Sequence, residues 1–343
     1  MNRIRLSICM PTYNFGRFIG DSLNSIIRQA TDEVEIVVVD GASTDNTAQV
    51  VRDFQARFPR LYYHRLDKRG GIDRDMACTV EVATGDYCWL FSSDDIMREN
   101  ALRDVLEEIR LGFDLYLVGL TLCTLHMQPF AQHRILRLQG DAEFDLAKEQ
   151  DRLRYFELAE TTTAFFSFMG SLIVRKARWD AIRFNEAFDG SLWAHVARIF
   201  EMIPQGLRLK YLSRSYLDKR GDNDSFMDKG LAHRYRVAIE GYDRLANTFF
   251  GETGVESFHI RRAVRNEVPG IRALVNLRLA NMKEGSQEDI AQLDELVAAI
   301  YRERSLGRRV PFWIYRVSPF PLLRAAKAVY KILKPYLRAR ITR

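Results

Sequence analysis

The sequence predicts an α/β fold with a mainly parallel sheet flanked by helices. Two observations carry this. Over the first 125 residues, short β-branched apolar runs alternate with single stretches of helical periodicity. Polar, ligand-type residues follow three separate apolar runs. Strands alternating with single helices imply right-handed crossovers and a sheet covered on both faces. In such sheets ligands bind beyond the carboxyl ends of the strands.

The elements follow in order. Arg5–Met10 is the first apolar run and Pro11-Thr12-Tyr13-Asn14 follows it. Phe18, Leu23, Ile26 and Ile27 recur at helical spacing. Glu35–Val39 is β-branched and ends in Asp40. Ser43 or Thr44 then reads as the N-cap of a helix bearing Val50, Val51 and Phe54. Leu61–Leu66 reads as the third strand, 74–84 as a helix, Tyr87–Phe91 as the fourth strand. A helix with Ala101, Leu102, Val105, Leu106 and Ile109 precedes a fifth strand, Leu115–Leu122. Residues 126–170 are irregular. Ser171–Val174 reads as a strand, Leu192–Ile203 as a helix, and Lys219–Lys229 as a polar loop. The pattern is helical from about 230 to 305.

Composition bounds the class. The chain has 343 residues, 47% hydrophobic and 28% charged, which fits a packed globular protein and argues against wholesale disorder. No apolar run reaches membrane-spanning length, and MNRIRLSICM passes into a strand pattern with no signal-peptide features. Cys9, Cys78, Cys88 and Cys123 match no zinc or redox spacing and read as buried free thiols. Eleven of the 51 basic residues and none of the 45 acidic ones fall in 304–343, so residues 1–303 carry a net −5. The basic character therefore belongs to the tail.

Four motifs carry chemistry. In FSSDD (91–95), adjacent carboxylates repel unless solvated or cation-bound; a helix N-cap is the other reading. In DGASTDNT (40–47), Asp40 is placed to accept from a ribose hydroxyl or base N–H, or the segment is an ordinary capped loop. In KRGGIDRD (68–75), the glycines admit a close ligand, Arg69 and Arg74 suit phosphate, and Asp73 and Asp75 suit hydroxyls; a solvated turn is the alternative. In GSLWAHV (190–196), Trp193 suits a sugar face and His195 suits a general base, or both are structural. No G-x-G-x-x-G follows the first strand, which disfavours a dinucleotide oxidoreductase.

Taken in order, LSICMPTYN (6–14), EIVVVDGASTDNT (35–47) and GDYCWLFSSDD (85–95) resemble the family 2 glycosyltransferases of the GT-A fold over about residues 4–110. GGIDRD, CWLFSSDD and GSLWAHV look especially like bacterial abequosyltransferase-type enzymes, which extend lipid-linked polysaccharide intermediates with a deoxysugar. The resemblance implies transfer of a hexosyl or deoxyhexosyl group from a nucleotide-diphosphate sugar to a saccharide acceptor, with inversion. It implies that Pro11, Thr12, Tyr13 and Asn14 line the nucleoside pocket. Asp40 and Ser43, then Asp73 and Arg74, complete that pocket, and Ser93 and Asp94 sit beside ribose and diphosphate. Asp95, with Asp94, is implied to hold Mg²⁺ or Mn²⁺. Two departures stand out. Ser92 occupies the place of a common Asp, and Ala194-His195 stands where the family's acidic base is usual. His195 is therefore the expected base, with Asp189 and Glu186 as fallbacks. An inactive scaffold with the same fold is the rival reading.

The expected organisation is a GT-A domain over 1–220 (donor half 1–125, acceptor half 126–220), a helical extension over 221–305, and a basic amphipathic tail over 306–343. In the tail, Phe312, Trp313, Tyr315 and Phe320 cluster, and Arg324, Lys327, Lys331 and Lys334 oppose an apolar face. That pattern predicts docking on an anionic membrane rather than nucleic acid binding, and hence a cytoplasmic, peripheral location on the inner face of the cell membrane; a helix docked on the domain with a solvated basic face is the other reading.

Overall fold

A computed structural model describes residues 3–223, 230–268, 270–284, 287–300 and 315. In chain order the elements are β1 (Leu6–Thr12), α1 (Ile19–Ile27), β2 (Val34–Asp40), α2 (Thr47–Gln55), β3 (Leu61–Arg65), α3 (Ile72–Val82), β4 (Tyr87–Leu90), β5 (Ile96–Met97), α4 (Ala101–Glu108), β6 (Leu115–Cys123), β7 (Pro129–Gln132), β8 (Ala142–Asp145), α5 (Glu149–Leu158), β9 (Leu172–Arg175), α6 (Lys176–Asp180), α7 (Ala194–Met202), β10 (Arg208–Arg220), α8 (Gly230–Phe250), α9 (Val255–Glu267), α10 (Ile271–Glu284) and α11 (Gln287–Ile300).

One sheet runs β3-β2-β1-β4-β9-β6-β10-β5, with β7 on β6 and β8 on β10. Strands β1 to β4 are mutually parallel, as are β6 and β10. The short β9 is antiparallel to both its neighbours and joins the two parallel sets. Every residue of β1 and β2 is buried, as expected of central strands covered on both faces. Helix α1 buries Ile19, Leu23 and Ile26, one face at helical spacing.

Several sequence expectations shift. Helix α2 starts at Thr47, so Ser43 and Thr44 do not cap it; the Thr47 N–H is bound instead by Asp45 at 2.9 Å. Helix α4 begins after Asn100, so neither Asp94 nor Asp95 is a helix cap. Lys219 and Arg220, expected in a loop, end β10. That strand was hidden because its apolar pattern breaks at Ser213–Ser215, where the register against β6 shifts. The bulge drives the carbonyls of Ser213 and Arg214 toward Gly119, where a Cβ would meet them at 2.6 and 2.5 Å.

The chain divides into two compact units, residues 1–225 with 241–266 and residues 226–240 with 267–343. The second has its own apolar cluster of Leu274, Leu293, Leu296, Val297, Ile300 and Tyr315. Tyr315 is buried there and donates its hydroxyl to Asp294 at 2.6 Å, so it is not an interfacial aromatic as expected. The rest of the tail, including Phe312, Trp313 and Phe320, lies outside the described residues. Among the described residues no helix is long and apolar enough to cross a membrane. All four cysteines are free; Cys9, Cys88 and Cys123 are buried and Cys78 is half-buried.

Candidate active site

The carboxyl ends of β1, β2 and β4 form one rim. Thr12 stands opposite Asp40 in the β1–β2 ladder, and the Gly41 N–H continues the ladder onto the Thr12 carbonyl at 2.9 Å. On the other side, the Phe91 N–H donates to the Cys9 carbonyl and the Ser93 hydroxyl to the Pro11 carbonyl, both at 2.8 Å. Three loops distant in sequence are thus tied through backbone.

The β1–β2 part of the rim is braced by polar side chains. Asp40 is fully buried; Oδ1 accepts from the Ser43 N–H at 2.8 Å and Oδ2 from the Tyr63 hydroxyl at 2.5 Å. The Asn14 N–H donates to Ser43 Oγ, and the Thr44 N–H to Asn14 Oδ1, each at 2.8 Å. Asn14 and Ala42 adopt left-handed backbone, with φ of 57° and 64°, a conformation these contacts hold in place. Tyr13 lies under the Arg69 guanidinium, 4.0 Å from its ring centroid. Asp75 is buried against Gly41 and Gly70, where a Cβ would come within 2.5 and 2.6 Å of its oxygens. Burial, and then the charge of Asp40, raise its pKa. The carboxylate of Asp40 is thus occupied within the protein, and Asp75 presents the second carboxylate at this corner.

At the β4 tip, Ser92 donates its hydroxyl to Asp94 Oδ1, and the Asn223 amide donates to Asp94 Oδ2. Asp95 is buried; Oδ1 accepts from the Arg220 N–H at 2.8 Å and Oδ2 has no partner among the described residues. Burial, and then the charge of Asp94, push the Asp95 pKa well above the ordinary 3.8. Arg220 itself is buried, with Nε on the Asp94 carbonyl at 2.9 Å, Nη1 on the Leu125 carbonyl at 2.7 Å, and its guanidinium 4.7 Å from the Phe18 ring centroid.

These features suit a divalent cation. Two adjacent carboxylates, one with a partnerless buried oxygen, are what such an ion would relieve. No group of three or more His, Cys, Asp or Glu side chains able to hold a metal occurs among the described residues. A cation here would thus draw further ligands from a bound diphosphate and water, the usual pattern for Mg²⁺.

The second group of predicted site residues gathers at the start of α7. His195 Nε2 lies 2.9 Å from the Phe166 carbonyl. A carbonyl only accepts, so Nε2 carries the proton and Nδ1 the lone pair in the neutral ring. Burial lowers the His195 pKa below 6.5, opposed by the charge of Asp73, so the ring is neutral near pH 7. Asp73 and Arg74, expected in the nucleoside pocket, make their contacts here. Asp73 accepts from the N–H groups of Leu192 and Ala194 at 2.8 and 3.1 Å. Arg74 pairs with Asp189 at 2.8 Å and Glu186 at 2.6 Å, which leaves Asp189 engaged as an ion-pair partner. Trp193 packs on Tyr242, with centroids 4.8 Å apart, and against Gly241, rather than offering a bare face to a sugar. Arg220, Asn223, Tyr63 and Phe166 have no signal in the sequence, because each reaches the site across a long separation.

A family model described as glycosyl transferase family 2 matches residues 7–176. The abequosyltransferase RfbV of Salmonella typhimurium is 32% identical over 302 residues, covering 86% of this chain and 89% of that protein. Among solved structures, S. aureus TarS residues 1–349 in complex with UDP-GlcNAc superposes with a TM-score of 0.61 at 20% identity, covering 96% of this chain and 92% of that one. The mannosyltransferase PcManGT of Pyrobaculum calidifontis, in complex with GDP-Man and Mn²⁺, superposes with a TM-score of 0.50 at 17% identity, covering 98% and 83%. The chain is a member of glycosyl transferase family 2, built on the GT-A fold.

Proposed function

We propose that this glycosyltransferase moves a hexosyl or deoxyhexosyl group from a nucleotide-diphosphate sugar to a lipid-linked saccharide in bacterial surface polysaccharide synthesis. The observation that carries the donor reading is the Asp94–Asp95 pair beside the β1–β2 rim, where a buried carboxylate oxygen lacks a partner. The likeness to RfbV, an abequosyltransferase, and to a TarS complex holding UDP-GlcNAc supports it. The nucleoside would lie over Pro11, Thr12, Tyr13 and Asn14, with Asp40, Ser43 and Asp75 behind it. Ser93 and Asp94 would face the ribose and diphosphate.

His195 acts as general base. Its Nδ1 lone pair takes the proton of an acceptor hydroxyl, and that oxygen attacks the anomeric carbon from the face opposite the diphosphate. The new C–O bond forms as the bond to phosphate breaks, and the electron pair leaves with the nucleoside diphosphate, inverting the centre. Mg²⁺ or Mn²⁺ held by Asp94 and Asp95 would offset charge on the departing phosphate. Base assistance contributes about 10²–10⁴-fold; positioning and electrostatics supply the rest. Residues 306–343 would hold the enzyme on the anionic inner face of the membrane, near a lipid-linked acceptor.

A thermal-shift panel of nucleoside diphosphates and nucleotide sugars, with and without Mn²⁺, tests the donor reading. One base should stabilise the protein in a concentration-dependent and Mn²⁺-enhanced way. A flat response across the panel rejects it.

A further inference from the structure

We infer that Asp73 is the positioning residue of the base: from α3 it caps the start of α7, one residue from His195, and holds a buried carboxylate at that end. This deepens, and rests on, the reading of His195 as base. Helix α7 has Trp193 at its N-cap, whose indole N–H only donates and so offers no acceptor to the helix end. The missing acceptor comes from α3. The Asp73 carboxylate takes the Ala194 N–H at 3.1 Å and the Leu192 N–H at 2.8 Å. Leu192 lies in left-handed backbone, φ 75°, a costly conformation for a bulky non-glycine residue. Asp73 thus fixes both the strained approach to α7 and the helix end, one residue from His195.

The charges around His195 leave Asp73 as the electrostatic partner. On α3, Arg74 is neutralised by Asp189 and Glu186 from the segment before α7. On α7, Arg198 donates to the carbonyls of Trp179 and Ile182, and Glu201 accepts from Asn185 at 2.6 Å. The segment 161–168, which supplies the Phe166 carbonyl, has no charged side chain. Arg244 of α8 donates to the Ala187 carbonyl and lies over Phe188. Asp73 takes part in no ion pair among the described residues, is buried, and acts on His195 through space. As His195 takes a proton, the adjacent carboxylate favours the imidazolium that forms.

The placement also couples donor and acceptor walls. Asp73 and Asp75 leave the same turn of α3, one toward α7 and the other toward Gly41 on the β2 rim. A single helix start therefore sets both.

The test is an NMR titration of the His195 imidazole in the full chain, identified as the histidine signal lost in His195→Gln. Asp73→Asn and Asp73→Ser keep one oxygen acceptor for the Ala194 N–H, give up the second bond to Leu192, and remove the charge. Both should move the His195 titration to lower pH, and Asp73→Glu should move much of it back. An unmoved titration in folded Asp73→Asn and Asp73→Ser protein overturns the inference. The measurement needs no donor or acceptor. If His195→Gln keeps full turnover, the base assignment fails separately, whatever the titration shows.

Discussion

The backbone N–H of Arg220 donates to Asp95 Oδ1 at 2.8 Å, across 125 residues of chain. The last strand of the sheet thus secures the carboxylate pair at the tip of the fourth.

Removing the charge of Asp95 should stabilise the empty protein and disable it. Its pKa is raised on folding, so the folded state binds that proton more tightly than the unfolded chain. Its contribution to stability is then greatest at low pH and declines as pH rises from about 3.8 through the raised folded value. Asp95→Asn removes this decline. At pH 7.5 we expect a higher Tm than the parent protein, with loss of the Mn²⁺-dependent Tm shift. A variant still stabilised by Mn²⁺ to the parent extent would remove Asp95 from the cation site.

Replacing His195 should separate binding from turnover. His195→Ala is expected to lower kcat by about 10²–10⁴-fold while leaving donor-induced stabilisation unchanged. In the parent enzyme the rate should fall as acid protonates the imidazole, at a pH below 6.5 because burial lowers the pKa. Steady-state rates across pH 5–8 (about three units) with the donor found by thermal shift give both answers.

Tyr63→Phe leaves Asp40 Oδ2 buried without its donor. The expected loss is about 1–3 kcal/mol, measured by urea denaturation. A loss within error would mean that the brace is dispensable.

Gly41→Ala drives a Cβ to within 2.5 Å of Asp75 Oδ2. Overpacking of this kind costs about 1–3 kcal/mol, so stability measured by urea denaturation should fall by a comparable amount. Asp75→Ala in the same protein removes the clash, so the two changes should be non-additive. Simple additivity would disprove the contact.

Deleting residues 322–343, which leaves the buried Tyr315 in place, should abolish salt-sensitive binding to anionic liposomes. Each basic residue near such a surface contributes about 1 kcal/mol. Cosedimentation at low and high salt, with neutral vesicles as control, reads this out. Equal binding by the truncated chain would place the membrane surface elsewhere or nowhere.

The alternation over the first 125 residues was enough to foresee β1 to β4 and the three polar tips; β1, β2 and β4 are fully buried and read as continuous apolar runs. The acceptor half was harder. Strand β9 is only Leu172–Arg175, and its place between β4 and β6 is a tertiary choice with no local pattern. Strand β10 breaks its alternation at the bulge, which concealed Arg220. Asp73 and Arg74 were legible as ligand-type residues, but not the direction they face, since partners more than a hundred residues away decide it. Trp193, two residues before a histidine, suggested a sugar platform, yet a glycine at 241 let the indole pack inward.

The antiparallel insertion of β9 has a consequence for biosynthesis. As the chain leaves the ribosome, one side of β4 can pair with β1 at once, but its other side waits for residues 172–175. Until then an apolar strand edge stays unpaired, the kind of template that recruits neighbouring chains. The first 125 residues expressed alone would lack that seal, and self-association is the expected fate of the fragment.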